Sequence, residues 1–184
     1  MIAMPESVQP IAAIQGGSSA AIQALLCAFA DAARRHARVA GVVERQASGS
    51  EDPELCSLGD SRRFPIFQDL GPSSMACSLD SAGIVTACEA VLADVAAGCD
   101  LLVLSKFGKL EAERSGLAAA FAAGVEAQVP ILTSVAPKFD AEWQAFASPL
   151  FEIIPPHLPA VEDWWRRARA RAVREASPER YFML

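Results

Sequence analysis

Short apolar segments alternate with stretches of helical periodicity along most of this sequence, and this alternation limits the fold more than any other feature. The apolar segments have the length and the β-branched content of buried strands. They cover residues 10–15, 38–44, 63–70, 100–104, 129–135 and 151–154. Several of the stretches between them place apolar residues on one helical face. The pattern predicts a three-layer α/β sandwich with a mostly parallel sheet and right-handed crossovers.

The remaining segments complete this predicted architecture. The predicted helices cover 20–36, 80–97, the stretch from the 105–109 loop to about Gln128, a segment around Trp143, and a segment starting near Ala160. Residues 46–60 are polar and rich in Gly, Ser and Pro, which predicts a surface loop. Pro65 marks the 63–70 segment as an edge strand. The length of 184 residues predicts one domain over 1–184, with a core at 10–155 and a basic helix at 160–176.

The composition excludes several classes of protein. With 52% hydrophobic and 21% charged residues, the chain is too apolar to be disordered. No apolar stretch approaches the roughly 20 residues of a membrane-spanning helix. The formal net charge of -6 argues against a nucleic-acid partner, because such binding depends on basic residues that neutralise phosphates. Five cysteines without a C-x-x-C pair, and an N-terminus without a basic and apolar leader, predict a cytoplasmic location.

The first loop of the predicted sheet is a candidate phosphate site. In parallel sheets ligands bind beyond the carboxyl ends of the strands. Gly16, Gly17, Ser18 and Ser19 follow the first strand and precede a helix, so backbone amides and two hydroxyls could cradle a phosphate or an oxyanion. Ser18 or Ser19 also suits the N-cap of that helix. The loop lacks the lysine of G-x-x-x-x-G-K-[ST], which excludes the classical nucleotide loop, and the alternative is that it only turns the chain.

The loop after the 100–104 strand concentrates charge. The chain contains only three lysines, Lys106, Lys109 and Lys138. Two of them lie in the segment that also holds Ser105, Gly108 and Glu111, with Glu113 close behind. One interpretation is that a lysine supplies the cation for an anionic ligand while Glu111 or Glu113 orients it or polarises water. The alternative is a solvated charge cluster.

Two further residues are candidates for binding. Asp69 closes the 63–70 segment and could face the same crevice, although a turn-capping role is the alternative. Cys77 lies in a stretch that contains Gly, Pro and Ser, where an exposed thiol could act as a soft metal ligand rather than pack in the core. No other metal site is predicted.

The C-terminal helix carries a second kind of surface. Trp164 and Trp165 precede five arginines, Arg166, Arg167, Arg169, Arg171 and Arg174. This order, with acidic residues first, suits the helix dipole and predicts a docked helix with a solvated basic face. The alternative is an element that binds a partner protein or an anionic surface.

The segment DLLVLSKFGKLEAE at 100–113, with CSLD at 77–80 and the opening strand, glycine loop and helix, resembles an uncharacterised bacterial family often found with molybdate-transport genes. The resemblance covers about 11–147. Members typically show Asn-Lys-Phe-Gly-Lys and Cys-Arg-Leu-Asp, where this chain has Ser105 and Ser78, and commonly a glycine where it has Arg114. The family in turn resembles small P-loop nucleoside triphosphatases. In these the strand at 100–104 would end in an acid pair that holds magnesium, and here Ser105 and Lys106 stand at those places.

The resemblance implies a P-loop-like domain that has lost the hydrolysis of nucleoside triphosphates. We expect it to bind an anionic small molecule, either a nucleotide or an oxyanion such as molybdate, in a physiology related to molybdenum. Gly16, Gly17, Ser18 and Ser19 would supply amides and hydroxyls, and Lys106 and Lys109 the positive charge. Two alternatives stay open. One is a phosphoryl-transfer enzyme that uses Lys106 or Lys109 with Glu111, and the other is an accessory protein that acts through its C-terminal helix.

Overall fold

The computed structural model describes residues 8–46, 52–66 and 81–175. The described residues form one seven-stranded sheet with the order β4-β3-β2-β5-β6-β1-β7. The strands are β1 (Ile11–Ile14), β2 (Val39–Gln46), β3 (Pro53–Ser57), β4 (Arg63–Pro65), β5 (Leu101–Leu104), β6 (Ile131–Ser134) and β7 (Phe151–Ile154). The helices are α1 (Ser19–Ala33), α2 (Ser81–Ala96), α3 (Lys109–Ala112), α4 (Ala118–Glu126), α5 (Asp140–Ala147) and α6 (Leu158–Glu175), and a 3-10 turn covers Pro137–Phe139.

The five strands from β2 to β7 across the sheet run parallel, as the alternation of strands and helices predicts. Every residue of β1, β5 and β6 is buried. Strands covered on both faces need apolar side chains in consecutive positions, which explains the unbroken apolar run of β5. The three-layer architecture predicted from the sequence is therefore confirmed.

Two cores lie on opposite faces of this sheet. Alternate residues of each strand point to opposite faces. On one face Ile11 of β1 joins a cluster that includes Phe121 of α4 and Trp143 of α5. On the other face Ala12 of β1 joins a cluster that includes Phe29 of α1 and Trp164 of α6. Helices from both layers thus cover the strands whose carboxyl ends carry the predicted site.

The prediction of a surface loop over 46–60 is wrong for its second half. Residues Pro53–Ser57 form β3, which pairs antiparallel with β2, and β4 pairs antiparallel with β3 at the sheet edge. Leu55 and Cys56 are buried in this strand. The polar composition of the segment hid a strand that contributes only a few side chains to the core. Pro65 does lie on the edge strand, where its missing N–H breaks no ladder bond.

The single helix predicted up to Gln128 is also wrong. The chain forms the short α3, leaves it through Arg114 and Gly116, which have φ angles of 61° and 59°, and starts α4 at Ala118. Positive φ angles end a right-handed helix. Arg114 stands where the family resemblance expects a glycine, the residue that adopts this conformation most easily.

The C-terminal helix α6 begins at Leu158, close to the predicted start. Trp164 is fully buried and its Nε1 donates a hydrogen bond to the carbonyl of Gln9, while Trp165 is 6% exposed. Among the described side chains of this element, Arg166 and Arg169 are exposed, and Arg167 and Arg171 are half-buried. Among the described residues, no helix is long and apolar enough to cross a membrane.

Gly41 tests the close approach of β2 and β5. Its φ angle is 116°, and a Cβ atom there would lie 1.8 Å from the carbonyl oxygen of Val103. We expect Gly41→Ala to lower the free energy of unfolding by more than about 3 kcal/mol, because strain and overlap add. Chemical denaturation measures the loss.

Gly108→Ala is the matched control, because the new Cβ would make an ordinary contact of 3.6 Å with Glu111. Equal effects of the two substitutions would contradict the packing of β2 against β5.

Candidate functional site

A cavity of about 450 Å³ opens at the carboxyl edge of the sheet, and we call it the lysine pocket. The loops after β1, β5 and β6 line it, because the ends of neighbouring parallel strands lie side by side. The polar lining residues are Gly16, Gly17, Ser19, Glu44, Ser105, Lys106, Gly108, Lys109, Glu111, Ser134 and Lys138. Apolar side chains that include Leu55, Ile66, Ile84 and Leu117 complete the wall.

All three lysines of the chain line this one pocket. Lys106 pairs with Glu44 of β2 at 2.6 Å between Nζ and Oε1. Within the described residues, Lys109 and Lys138 form no ion pair, and Lys138 lies 5.1 Å from the ring centre of Phe139. Lys138 was not among the predicted site residues. The scarcity of lysine, together with its position after β6, was the signal that could have found it.

The glycine loop opens α1 toward the pocket. Ser18 is the N-cap of α1, and its Oγ accepts a hydrogen bond of 3.2 Å from the amide of Ala21, which confirms one of the two predicted caps. Gly16, with a φ angle of 102°, Gly17 and Ser19 line the pocket. The N-terminal amides and partial positive charge of α1 therefore lie at the same edge as the lysines. Ser18 uses its Oγ atom as the hydrogen-bond acceptor in this cap.

A buried polar network holds the end of β5 in place. The carbonyl of Ser105 accepts hydrogen bonds from Gln23 Nε2 at 2.7 Å and from Ser134 Oγ at 2.9 Å. Gln23 Oε1 in turn accepts from the amide of Glu44 at 3.2 Å. This network ties α1, β2 and β6 to the strand that precedes Lys106. Sequence reasoning did not identify Gln23, since a single glutamine in an apolar helical pattern carries no distinctive signal.

Glu111 has a structural role beside the lysines. It is 6% exposed, and its two carboxylate oxygens accept hydrogen bonds of 2.9 Å from the amides of Gly108 and Leu117. One side chain thus fixes the loop that carries Lys106 and Lys109 and the start of α4. Both oxygens accept backbone amides and the side chain is buried, and the expected use of Glu111 beside a lysine stays a prediction.

The two remaining candidate residues, Asp69 and Cys77, lie outside the described residues. Burial raises the pKa of the Cys56 and Cys88 thiols, which keeps them protonated at neutral pH. In the described part of the chain, no group of three His, Cys, Asp or Glu side chains could hold a metal ion.

The sheet order, with β6 between β1 and β5, and the pocket beyond β1 define a protein with a P-loop nucleoside triphosphatase-like fold. The crystal structure of THEP1 from Aquifex aeolicus has the same fold, with a TM-score of 0.58 and 9% identity, over 85% of this chain and 94% of that one. The chain belongs to a family of proteins of unknown function, DUF2478, whose profile matches residues 11–164.

A curated relative connects this family with a transport protein. The chain is 34% identical over 161 residues to the molybdenum import ATP-binding protein ModC 2 of Bradyrhizobium diazoefficiens. The similarity covers 83% of this chain and 18% of the relative, so the chain spans less than a fifth of that protein. The similarity thus concerns one part of a longer chain.

Glu111→Gln tests the two hydrogen bonds by which Glu111 holds the 105–109 loop and the start of α4. An amide can accept only one of the two hydrogen bonds and directs its NH₂ at the other amide, so we expect the free energy of unfolding to fall by about 2 kcal/mol. Glu113→Gln, two residues further at an exposed position, should change stability by less than about 0.5 kcal/mol. Urea denaturation of both variants measures the difference. A free energy of unfolding that Glu111→Gln leaves unchanged would contradict the structural role of this carboxylate.

Proposed function

We propose that the lysine pocket binds a small anionic molecule that carries a tetrahedral oxyanion group, either a nucleotide or an oxyanion such as molybdate, without hydrolysing it. The observation that carries the proposal is that every lysine of the chain lines one cavity at the N-terminus of α1. In a chain of net charge -6, three ammonium groups at one edge of the sheet produce a local concentration of positive charge.

The geometry supports an anion at this place in three ways. Lys109 and Lys138 are exposed, which leaves their ammonium groups accessible. Gly16 and Gly17 precede the first turn of α1, where backbone amides and the helix dipole stabilise anions. Glu111 keeps the loop of Lys109 in one conformation, which lowers the entropic cost of binding.

The proposed loss of hydrolysis is supported by the residues that stand at the catalytic places of this fold class. Residues 16–21 contain no lysine that would reach a terminal phosphate. β5 ends at Leu104 and is followed by Ser105 and Lys106 instead of acids. Phosphoryl transfer depends on positioning and on neutralising charge around the transferred group, and these residues provide no base for water.

Two further observations guide the choice of ligands and compartment. Because the relative is named for molybdenum import and ATP binding, molybdate and adenine nucleotides are the first anions to test. Cys27, Cys56, Cys88 and Cys99 are free thiols, which is compatible with the cytoplasmic location that we propose.

A thermal-shift panel tests the proposal. Purified protein is mixed with ATP, ADP, GTP, GDP, molybdate, tungstate, sulfate or phosphate. A ligand at 100 times its dissociation constant adds about 2.7 kcal/mol to the folded state, so a specific anion should raise Tm by several degrees. The identity of that anion separates a nucleotide from an oxyanion. A panel without any shift would contradict the proposal.

Substitution of the lysines tests where the anion binds. We expect Lys109→Met combined with Lys138→Met to weaken binding of the shifting anion by more than about tenfold and to leave Tm without ligand nearly unchanged. Arg35→Met removes one exposed positive charge outside the pocket and should bind as the parent does. Equal affinity in the lysine variant would contradict the assignment, and turnover of a nucleotide that these substitutions abolish would replace it with an enzymatic function.

A further inference from the structure

Mg²⁺ normally accompanies phosphates in P-loop proteins, where an acidic side chain at a strand end helps to hold the cation. The described residues of the lysine pocket do not fit this ion. In phosphate sites Mg²⁺ is usually held by one or two carboxylates together with substrate phosphates and water. The described lining contains two carboxylates, Glu44 and Glu111, against three ammonium groups. Whether either carboxylate is available decides the question.

Glu111 is not available. Both of its oxygens accept buried backbone amides at 2.9 Å, from Gly108 and from Leu117. A cation at this carboxylate would compete with both N–H groups. Losing them would leave two buried donors without partners, which costs more than an exposed hydrogen bond contributes. Of the two carboxylates in the described lining, the one nearer in sequence to the end of β5 therefore serves the backbone.

Glu44 is engaged as well. Its side chain is 10% exposed, and one of its oxygens lies 2.6 Å from the Nζ atom of Lys106. One oxygen of this carboxylate is thus paired with an ammonium group, and Lys106 itself stands where the family resemblance places an acid. The sign of the charge at the end of β5 is therefore inverted.

The other polar groups do not change this balance. Ser19 contributes a neutral hydroxyl at the pocket wall. Ser134 donates its hydroxyl hydrogen to the carbonyl of Ser105. Neutral oxygens alone leave the charge of a divalent cation uncompensated beside Lys109 and Lys138, whose repulsion adds to the cost of bringing it there.

We infer that the lysine pocket binds its anion in the metal-free form, with the ammonium groups of Lys106, Lys109 and Lys138 in place of Mg²⁺. This inference rests on the proposed function and specifies it. A polyphosphate complexed with Mg²⁺ carries less negative charge and presents a cation to the lysines. The pocket therefore discriminates between the free and the metal-bound forms of the same anion.

Calorimetric titration of inorganic pyrophosphate into the protein tests this inference, once with EDTA and once with excess Mg²⁺. We expect binding in EDTA and an apparent affinity at least about tenfold weaker in Mg²⁺, because the free anion is depleted and its Mg²⁺ complex carries less negative charge. An affinity that is equal or tighter in Mg²⁺ overturns the inference and leaves anion binding intact. No binding in either buffer contradicts the proposed function for phosphates, and this inference fails with it.

Glu44→Gln makes the test specific to the pocket. The substitution keeps the size of the side chain and releases Lys106 from its ion pair. The affinity for pyrophosphate in EDTA should therefore rise by about threefold or more. Glu142→Gln, at an exposed position of α5 outside the pocket, should leave the affinity unchanged. If Glu44 instead served a metal ion, Glu44→Gln would weaken binding in Mg²⁺ and leave it unchanged in EDTA, which would overturn the inference.

Discussion

The burial of β1, β5 and β6 on both faces is the constraint on which the rest of the structure depends. Helices that connect neighbouring strands as crossovers make those strands parallel and cover the faces of the sheet. Parallel strands in turn end at one edge, so the loops that follow them meet there. The lysine pocket is a consequence of this arrangement, since its three cations arrive from the ends of only two of these strands, β5 and β6.

Around that pocket, backbone hydrogen bonds determine which charges are free. Glu111 neutralises no lysine because it accepts from two amides, and Gln23 holds the carbonyl of Ser105. Glu44 compensates Lys106 alone. The net effect is a surplus of positive charge beside the N-terminus of α1 in a protein of acidic composition. Under the proposed function, these ammonium groups take the role that Mg²⁺ has in many phosphate sites.

Sequence patterns predicted the central sheet and most of the pocket for a physical reason. Strands such as β5 and the lysines that follow it are local features, recorded in consecutive residues. The parts that could not be predicted depend on contacts between distant segments. β3 is recognisable only by its pairing with β2, since its composition is that of a loop. The end of α3 and the new start at α4 depend on the hydrogen bond from the Leu117 amide to Glu111. Lys138 lies at the pocket because β6 is beside β1 and β5 in the sheet.

Lysine footprinting tests the central claim most directly, because the three lysines of the chain all line the pocket. The protein is acetylated with a limiting reagent, with and without inorganic pyrophosphate in EDTA, and the modification of each lysine is measured by mass spectrometry. The account predicts that the anion slows the acetylation of Lys109 and Lys138. Bound pyrophosphate with unchanged reactivity at both lysines would contradict it.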